Sequence, residues 1–222
     1  MDLKIKEGRK RILIITAVSA EKDAVLRGLH NNSRFKVLEA GVGPIASAVS
    51  TTRALVENHY DMVVSAGIAG GFPGKAEVGS LVVANKIVAA DLGVETPEGF
   101  SSLDELGFGS IEVQVDTSLV NKVTDTFLAA NIPVITGPVI TVSTATGTET
   151  TALKLASRVP GAVAEAMEGY GVALAAHNYG LPILEIRAIS NLVGPRDKST
   201  WQIKKALSTL ETASKELTGV LL

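Results

Sequence analysis

The chain contains no cysteine, which excludes disulfides, thiolate metal sites and cysteine nucleophiles together. It has no excess of either charge: 21 Lys and Arg stand against 23 Asp and Glu, a formal net charge of −2. That balance argues against the basic footprint of a nucleic-acid-binding protein, while small charged ligands, which need only local charge, remain open. Apolar runs such as 12–15 and 81–84 are far too short to span a bilayer, so no membrane association is expected. Residues 2–11 are charged and lack the apolar core of a secretory signal, so the expected location is cytoplasmic. Without such a signal, the sequon Asn31-Asn32-Ser33 reads as chance. There is no G-x-S-x-G elbow. His30, His59 and His177 fall on three separate predicted helices with no metal-ligand spacing between them, and no metal is expected.

What is present is an apolar, alternating chain. With 222 residues and 46% hydrophobic content it can bury a sizeable core, and 1–222 reads as one domain without repeats or linkers. Strands are predicted at 11–17, 35–40, 61–66, 78–90, 133–143, 161–166 and 182–190. Helices are predicted at 20–30, 44–59, 117–130, 148–158, 169–179 and 199–218. Pro44 suits a first helical turn, and Ile45, Ala48, Val49, Thr52, Leu55 and Val56 share one apolar face of that helix. Residues 67–74 read as a glycine loop, and 91–109 as a long loop of the kind that is often functional. The alternation predicts an α/β fold: a single three-layer domain with a central mixed, mostly parallel sheet and helices on both faces.

In such sheets ligands bind beyond the carboxyl ends of the strands. Glu21, Gly67–Gly71, Thr144–Thr146, Glu168 and Asn191 all lie just past predicted strand ends. Gly41-Val42-Gly43-Pro44-Ile45-Ala46 fits G-x-G-x-x-[G/A], but it follows the second strand, and the next strand ends in Ala66 rather than the acid that would bind ribose. A tight strand-to-helix turn explains it better than a dinucleotide. Gly67-Ile68-Ala69-Gly70-Gly71 either brings backbone N–H groups to a ligand anion or is a plain turn. Glu21 alone could be an ordinary first-turn acid, and Glu165 could face solvent. Glu168 differs, because it lies between an apolar strand and an apolar helix, where a carboxylate is seldom buried without a partner. Arg187, inside an apolar strand, needs a carboxylate or carbonyl; Glu185 is one candidate.

Glu165-Ala166-Met167-Glu168-Gly169, Arg187-Ala188-Ile189-Ser190, Ser65-Ala66-Gly67-Ile68-Ala69-Gly70-Gly71 and Val78-Gly79-Ser80 together resemble the nucleoside phosphorylase and nucleosidase superfamily over nearly the whole chain. Ser190-Asn191-Leu192-Val193-Gly194-Pro195-Arg196-Asp197 through Trp201 is similar to its futalosine-hydrolysing subgroup, of menaquinone biosynthesis. The resemblance implies hydrolysis of an N-ribosidic bond of a purine nucleoside, without metal or organic cofactor. It implies that Glu21 activates water, that Met167 and Glu168 hold the ribose, and that Ile68, Ala145 and Thr146 line the nucleoside site. Asn191 stands where adenine-releasing nucleosidases have an aspartate. An amide can donate to the O6 of hypoxanthine and accept a proton arriving at N7, whereas an ionised carboxylate would oppose O6. The loop 16–21 also lacks the Gly-Asp-Pro-x-Arg pattern of the phosphorylases, and an acid at Glu21 suits water better than phosphate. Futalosine carries an aromatic carboxylate on its 5′ side, which Arg196 or Lys198 could meet while Trp201 or Phe100 packs on the ring. The alternative is that Asp197 or Ser199 caps the last helix and Trp201 anchors it. Family members are commonly homo-oligomers, and the 91–109 segment could reach a neighbour's site. The rival functions are an adenine-releasing nucleosidase, a purine nucleoside phosphorylase, and a nucleotide-sensing or dinucleotide-binding module without turnover.

Overall fold

A computed structural model describes residues 10–222; the charged stretch read above as lacking a secretory signal lies, up to Arg9, outside them. The apolar run near the N-terminus forms β1 (Ile12–Thr16), buried at every position. It pairs in parallel with β2 (Phe35–Glu39) and with β3 (Met62–Gly71). Burial on both faces explains why β1 has no polar alternation. β4 (Leu81–Ala89) pairs in parallel with β8 (Val134–Thr141) and antiparallel with β7 (Glu112–Gln114) and β10 (Ile183–Leu192). β10 runs parallel to β3. The short β9 (Ala164–Ala166) joins β8 in parallel and returns antiparallel to the end of β3. The mixed sheet therefore closes on itself through β3, β10, β4, β8 and β9, and β1 and β2 extend it from the first half of β3.

Helices cover this sheet in two groups. α1 (Ser19–Gly28) and α3 (Thr117–Ala129) pack on α6 (Ile203–Leu221), which lies against β10 and β3. α2 (Pro44–Glu57) packs on α5 (Gly169–Asn178), which lies against β3, β4, β8 and β10. α4 (Glu149–Arg158) follows β8. α6 buries Ala206, Leu210, Ala213, Leu217 and Val220, a stripe at steps of three and four. Each buried leucine there contributes about 1.5–3 kcal/mol. The helix begins later than the sequence predicts, because a 3-10 turn, Lys198–Thr200, precedes it.

Four further expectations change. Residues 67–71 are not a loop but the second half of β3. Their glycines are there for close approach: a Cβ at Gly71 would lie 2.1 Å from the Ala76 carbonyl oxygen. The 91–109 segment contains a two-stranded ribbon, β5 (Gly93–Thr96) with β6 (Gly99–Ser102). On α2, Leu55 is buried as predicted, but Ile45, Val49 and Val56 of the same predicted face point outward, and Ser47, Thr51 and Ala54 are buried in their place. The small residues are inside because α5 comes very close; a Cβ at Gly171 would lie 2.1 Å from the Pro44 carbonyl oxygen. Of the histidines, only His177 is helical; His30 follows α1 with φ 49° and His59 follows α2.

Candidate active site

β1, β3 and β10 run parallel, so their carboxyl ends open on the same side. A cleft of about 340 Å³ lies there. Glu21, Ile68, Ala145, Thr146, Met167 and Glu168 line it, and Asn191, Arg196 and Trp201 complete the wall. A larger cavity of about 500 Å³, between α4 and Gly194-Pro195, shares Val193 with this cleft but is lined by none of Glu21, Glu165 and Glu168.

Glu21 is the third residue of α1, and its carboxylate turns back to the start of its own helix. Oε2 accepts from the N–H of Ala17 at 2.9 Å and of Val18 at 3.3 Å. This is one half of a capping box, and the macrodipole favours an acid there. Oε1 accepts from the N–H of Ile68 at 2.9 Å, on β3. The first-turn role and the cleft position therefore coexist, with the side chain 3% exposed. Burial raises the Glu21 pKa above the usual glutamate value, against the opposing pull of Arg187 and the N–H donors. Gly67 permits this placement: a Cβ would lie 2.7 Å from both Glu21 Oε1 and Arg187 Nη1.

Glu168 occupies the N-cap position of α5, just after β9, but its carboxylate makes no capping bond to the helix. Its Oε1 accepts from the N–H of Gly43 at 3.2 Å and its Oε2 from Arg187 Nη1 at 3.2 Å. The Gly41–Gly43 turn, with φ of 89° and 97° at the two glycines, thus directs an N–H at a carboxylate rather than at a pyrophosphate. Arg187 is 1% exposed; its Nε donates to Glu185 at 2.8 Å and its Nη2 to Ser65 Oγ at 3.0 Å. Burial works against the guanidinium charge, but Glu185, Glu168 and Glu21 outweigh it and raise its pKa. Glu185 sits below, against Gly169, where a Cβ would meet its carboxylate within 2.5 Å. Burial raises its pKa too, and its Oε2 has no hydrogen-bond partner among the described residues.

On the facing wall, Asn191 Nδ2 donates to the Leu192 carbonyl at 3.0 Å, and Asn191 Oδ1 accepts from Ser190 Oγ at 2.8 Å. A carbonyl can only accept, so these neighbours fix which end of the amide is which. One N–H and one lone pair are left for a ligand. Arg196 stacks over the Trp201 ring, 4.9 Å from its centroid. Asp197 caps the 3-10 turn through Ser199 rather than α6. Lys198 and Phe100 are not part of the cleft lining; Phe100 lies under Arg158 instead.

Glu165, left open by the sequence, is buried and lines the cleft. Its Oε1 accepts from the Thr146 N–H at 2.8 Å and its Oε2 from the Thr146 hydroxyl. Burial raises its pKa, partly offset by those two bonds. A signal was present: Glu165 lies between two alanines of an apolar strand, and a charge inside an apolar segment, like Glu168 at the end of one, needs a partner. Gly70 and Ser190 also line the cleft; the sequence marked their segments, 67–71 and 187–190, without singling out either residue.

Three buried carboxyl groups around a small cleft, with one buried arginine and an oriented amide, suit acid–base work on a polar small molecule. Among the described residues no group of three or more His, Asp or Glu could hold a metal ion, and no helix is long and apolar enough to cross a membrane. The fold and cleft are those of an α/β nucleoside-processing enzyme, and the chain belongs to the phosphorylase superfamily, whose family model matches residues 12–222. Within it the chain groups with the futalosine hydrolases. It is 46% identical to the futalosine hydrolase of Streptomyces coelicolor, over 95% of this chain and 96% of that one. It is 44% identical to that of Acidothermus cellulolyticus, over 90% and 87%. The solved structure of the futalosine hydrolase of Helicobacter pylori superposes with a TM-score of 0.83 at 20% identity, covering 95% of this chain and 97% of that one, and so shares the fold.

Proposed function

We propose that this chain hydrolyses the N-ribosidic bond of futalosine, releasing hypoxanthine and dehypoxanthine futalosine, as a step of menaquinone biosynthesis. The observation that carries this reading is the meeting of Glu21, Glu168 and Asn191 in one cleft, in a chain 46% identical to a futalosine hydrolase. In this mechanism Glu21 removes a proton from the water that attacks the anomeric carbon, opposite the purine. General-base assistance of this kind is worth about 10²–10⁴-fold. Glu168 accepts from the ribose hydroxyls and stabilises positive charge growing on the sugar, while Met167 packs against it. Asn191 donates its remaining N–H to O6 and accepts a hydrogen bond from N7–H once the departing base is protonated there. That proton comes from solvent, because an amide has none to give. Ile68, Ala145 and Thr146 enclose the nucleoside. Arg196, held over Trp201, meets the carboxylate of the 5′ substituent.

Water rather than phosphate is the nucleophile in this reading, because the cleft floor carries Glu21, Glu165 and Glu168, and Arg187 is the single buried cation among the described residues. In the same reading the enzyme is cytoplasmic and needs no cofactor. It acts as a homo-oligomer, supported by the outward apolar face of α2, where Ile45 is 80% and Val56 70% exposed.

The test is chromatography of products from futalosine, inosine and methylthioadenosine, with and without phosphate. Hypoxanthine release from futalosine that is independent of phosphate is expected. Preferential adenine release, or formation of ribose 1-phosphate, would overturn the assignment.

A further inference from the structure

Glu185 is 0% exposed, and the mechanism above gives it no task. It lies on β10 between Leu184 and Ile186, both equally buried. In the sheet register Glu185 pairs with Ser65 of β3, and Arg187 pairs with Gly67. Residues two apart on a strand share a face, so Glu185, Arg187, Ser65 and Gly67 form one block on one side of the sheet. α5 closes over that block: the Glu185 carboxylate occupies the room that a Cβ would need at Gly169, the residue next to Glu168.

The guanidinium of Arg187 is held by three different side chains. Nε donates to Glu185 Oε1 at 2.8 Å, Nη2 to Ser65 Oγ at 3.0 Å and Nη1 to Glu168 Oε2 at 3.2 Å. An arginine frequently grips a carboxylate with two parallel bonds from two of its nitrogens. Here Nε and Nη2 are committed elsewhere, so Glu168 receives a bond from Nη1 alone. That restriction sets what Glu168 can still accept. A carboxylate offers about four acceptor sites. The Gly43 N–H takes one on Oε1 and Arg187 takes one on Oε2. One lone pair per oxygen is left, which matches the two neighbouring hydroxyls of a ribose. A two-bond clamp by Arg187 would fill one of those places.

Stability gives Glu185 little reason to be there. A buried ion pair is often no better than apolar side chains of the same volume. Glu185 Oε2 also has no hydrogen-bond partner among the described residues, which adds a cost.

We infer that Glu185 is a positioning residue for the sugar site: by holding Arg187 Nε it restricts the guanidinium to one bond on Glu168, and so keeps both Glu168 oxygens open to the ribose hydroxyls. Glu185 does not line the cleft and acts only through Arg187. Ser65 does the same for Nη2 from the neighbouring strand. The inference rests on the reading in which Glu168 accepts from the ribose.

The experiment measures kcat/KM for futalosine and 2′-deoxyfutalosine in the wild type, Glu185→Gln and Glu185→Leu. In Glu185→Leu the ratio of the ribosyl to the deoxyribosyl value is expected to fall by about 10–100-fold, the range for one hydrogen bond to a charged group. Glu185→Gln is expected to keep the wild-type ratio, because its amide oxygen can still accept from Nε. An equal loss on both substrates in Glu185→Leu would make Glu185 a structural counter-ion and overturn the inference. A ratio in Glu185→Gln as low as that in Glu185→Leu would also overturn it. Should Glu185→Leu fail to fold, Ser65→Ala, which frees Nη2 instead, takes its place. A fall in the same ratio is expected there, and an unchanged ratio overturns the inference. A wild-type ratio retained in Glu168→Ala would instead refute the parent role of Glu168, which makes the two failures distinguishable.

Discussion

Arg187 and Glu168 are joined at 3.2 Å although they lie on different elements, β10 and the start of α5, and the same guanidinium holds Glu185 at 2.8 Å. One buried cation thus ties β10, which carries Asn191, to a carboxylate that lines the cleft.

Arg187→Leu should therefore destabilise the fold as well as activity. Removing one partner of a buried ion pair costs about 3–5 kcal/mol, because the remaining charges lose their compensation. Urea unfolding monitored by circular dichroism reads this directly; a loss below about 1 kcal/mol, the range of surface pairs, would contradict the structure.

Glu21→Gln should abolish turnover while ligand binding, measured by calorimetry with hypoxanthine, persists. Burial raises the Glu21 pKa, and the base works only when ionised. Activity is thus lost as pH falls through that raised value, and the acid limb of kcat/KM should lie above the ordinary glutamate range. The stability effect has the opposite sense. A carboxyl group with a raised folded-state pKa stabilises the fold most below its unfolded value, and that contribution disappears as pH rises through the folded one. An acid limb at or below the ordinary value would exclude Glu21 as the titrating group.

Gly67→Ala places a methyl group 2.7 Å from both Glu21 and Arg187. A displacement of about 1 Å in a catalytic group can cost on the order of 10²-fold. The expected result is a drop of that size in kcat together with some loss of stability, since Glu21 must shift and Arg187 is held by Glu168, Glu185 and Ser65. Wild-type turnover in this variant would show that the position of Glu21 is not critical.

Asn191→Asp should move preference toward the 6-amino substrate, because the carboxylate accepts from N6 and opposes O6. Product ratios from mixed futalosine and methylthioadenosine measure it. Unchanged discrimination would remove Asn191 from base recognition.

If the proposed homo-oligomer forms through α2, Ile45→Glu combined with Val56→Glu on its outward face should shift sedimentation velocity toward monomer. Both positions are more than two-thirds exposed in the isolated chain, so the charges would carry no folding penalty of their own. An unaltered sedimentation coefficient would mean that this face is not the contact between copies.

The sequence alone determined the alternation of strands and helices, because continuous apolar runs such as β1 and periodic stripes such as that of α6 depend on local spacing. It also marked Glu168 and Arg187, since a charge within an apolar segment is costly wherever the chain goes. Tertiary structure decided the rest. Strand pairing closed the sheet and put Glu165 and Asn191 on either side of Gly70, a relationship between residues far apart in sequence. Close packing of α5 on α2 turned the apolar face of α2 outward, against the amphipathic pattern. Burial and three backbone donors made Glu21 more than a first-turn acid. Periodicity reports how one segment divides apolar from polar, whereas the fit of a carboxylate depends on which other segments surround it.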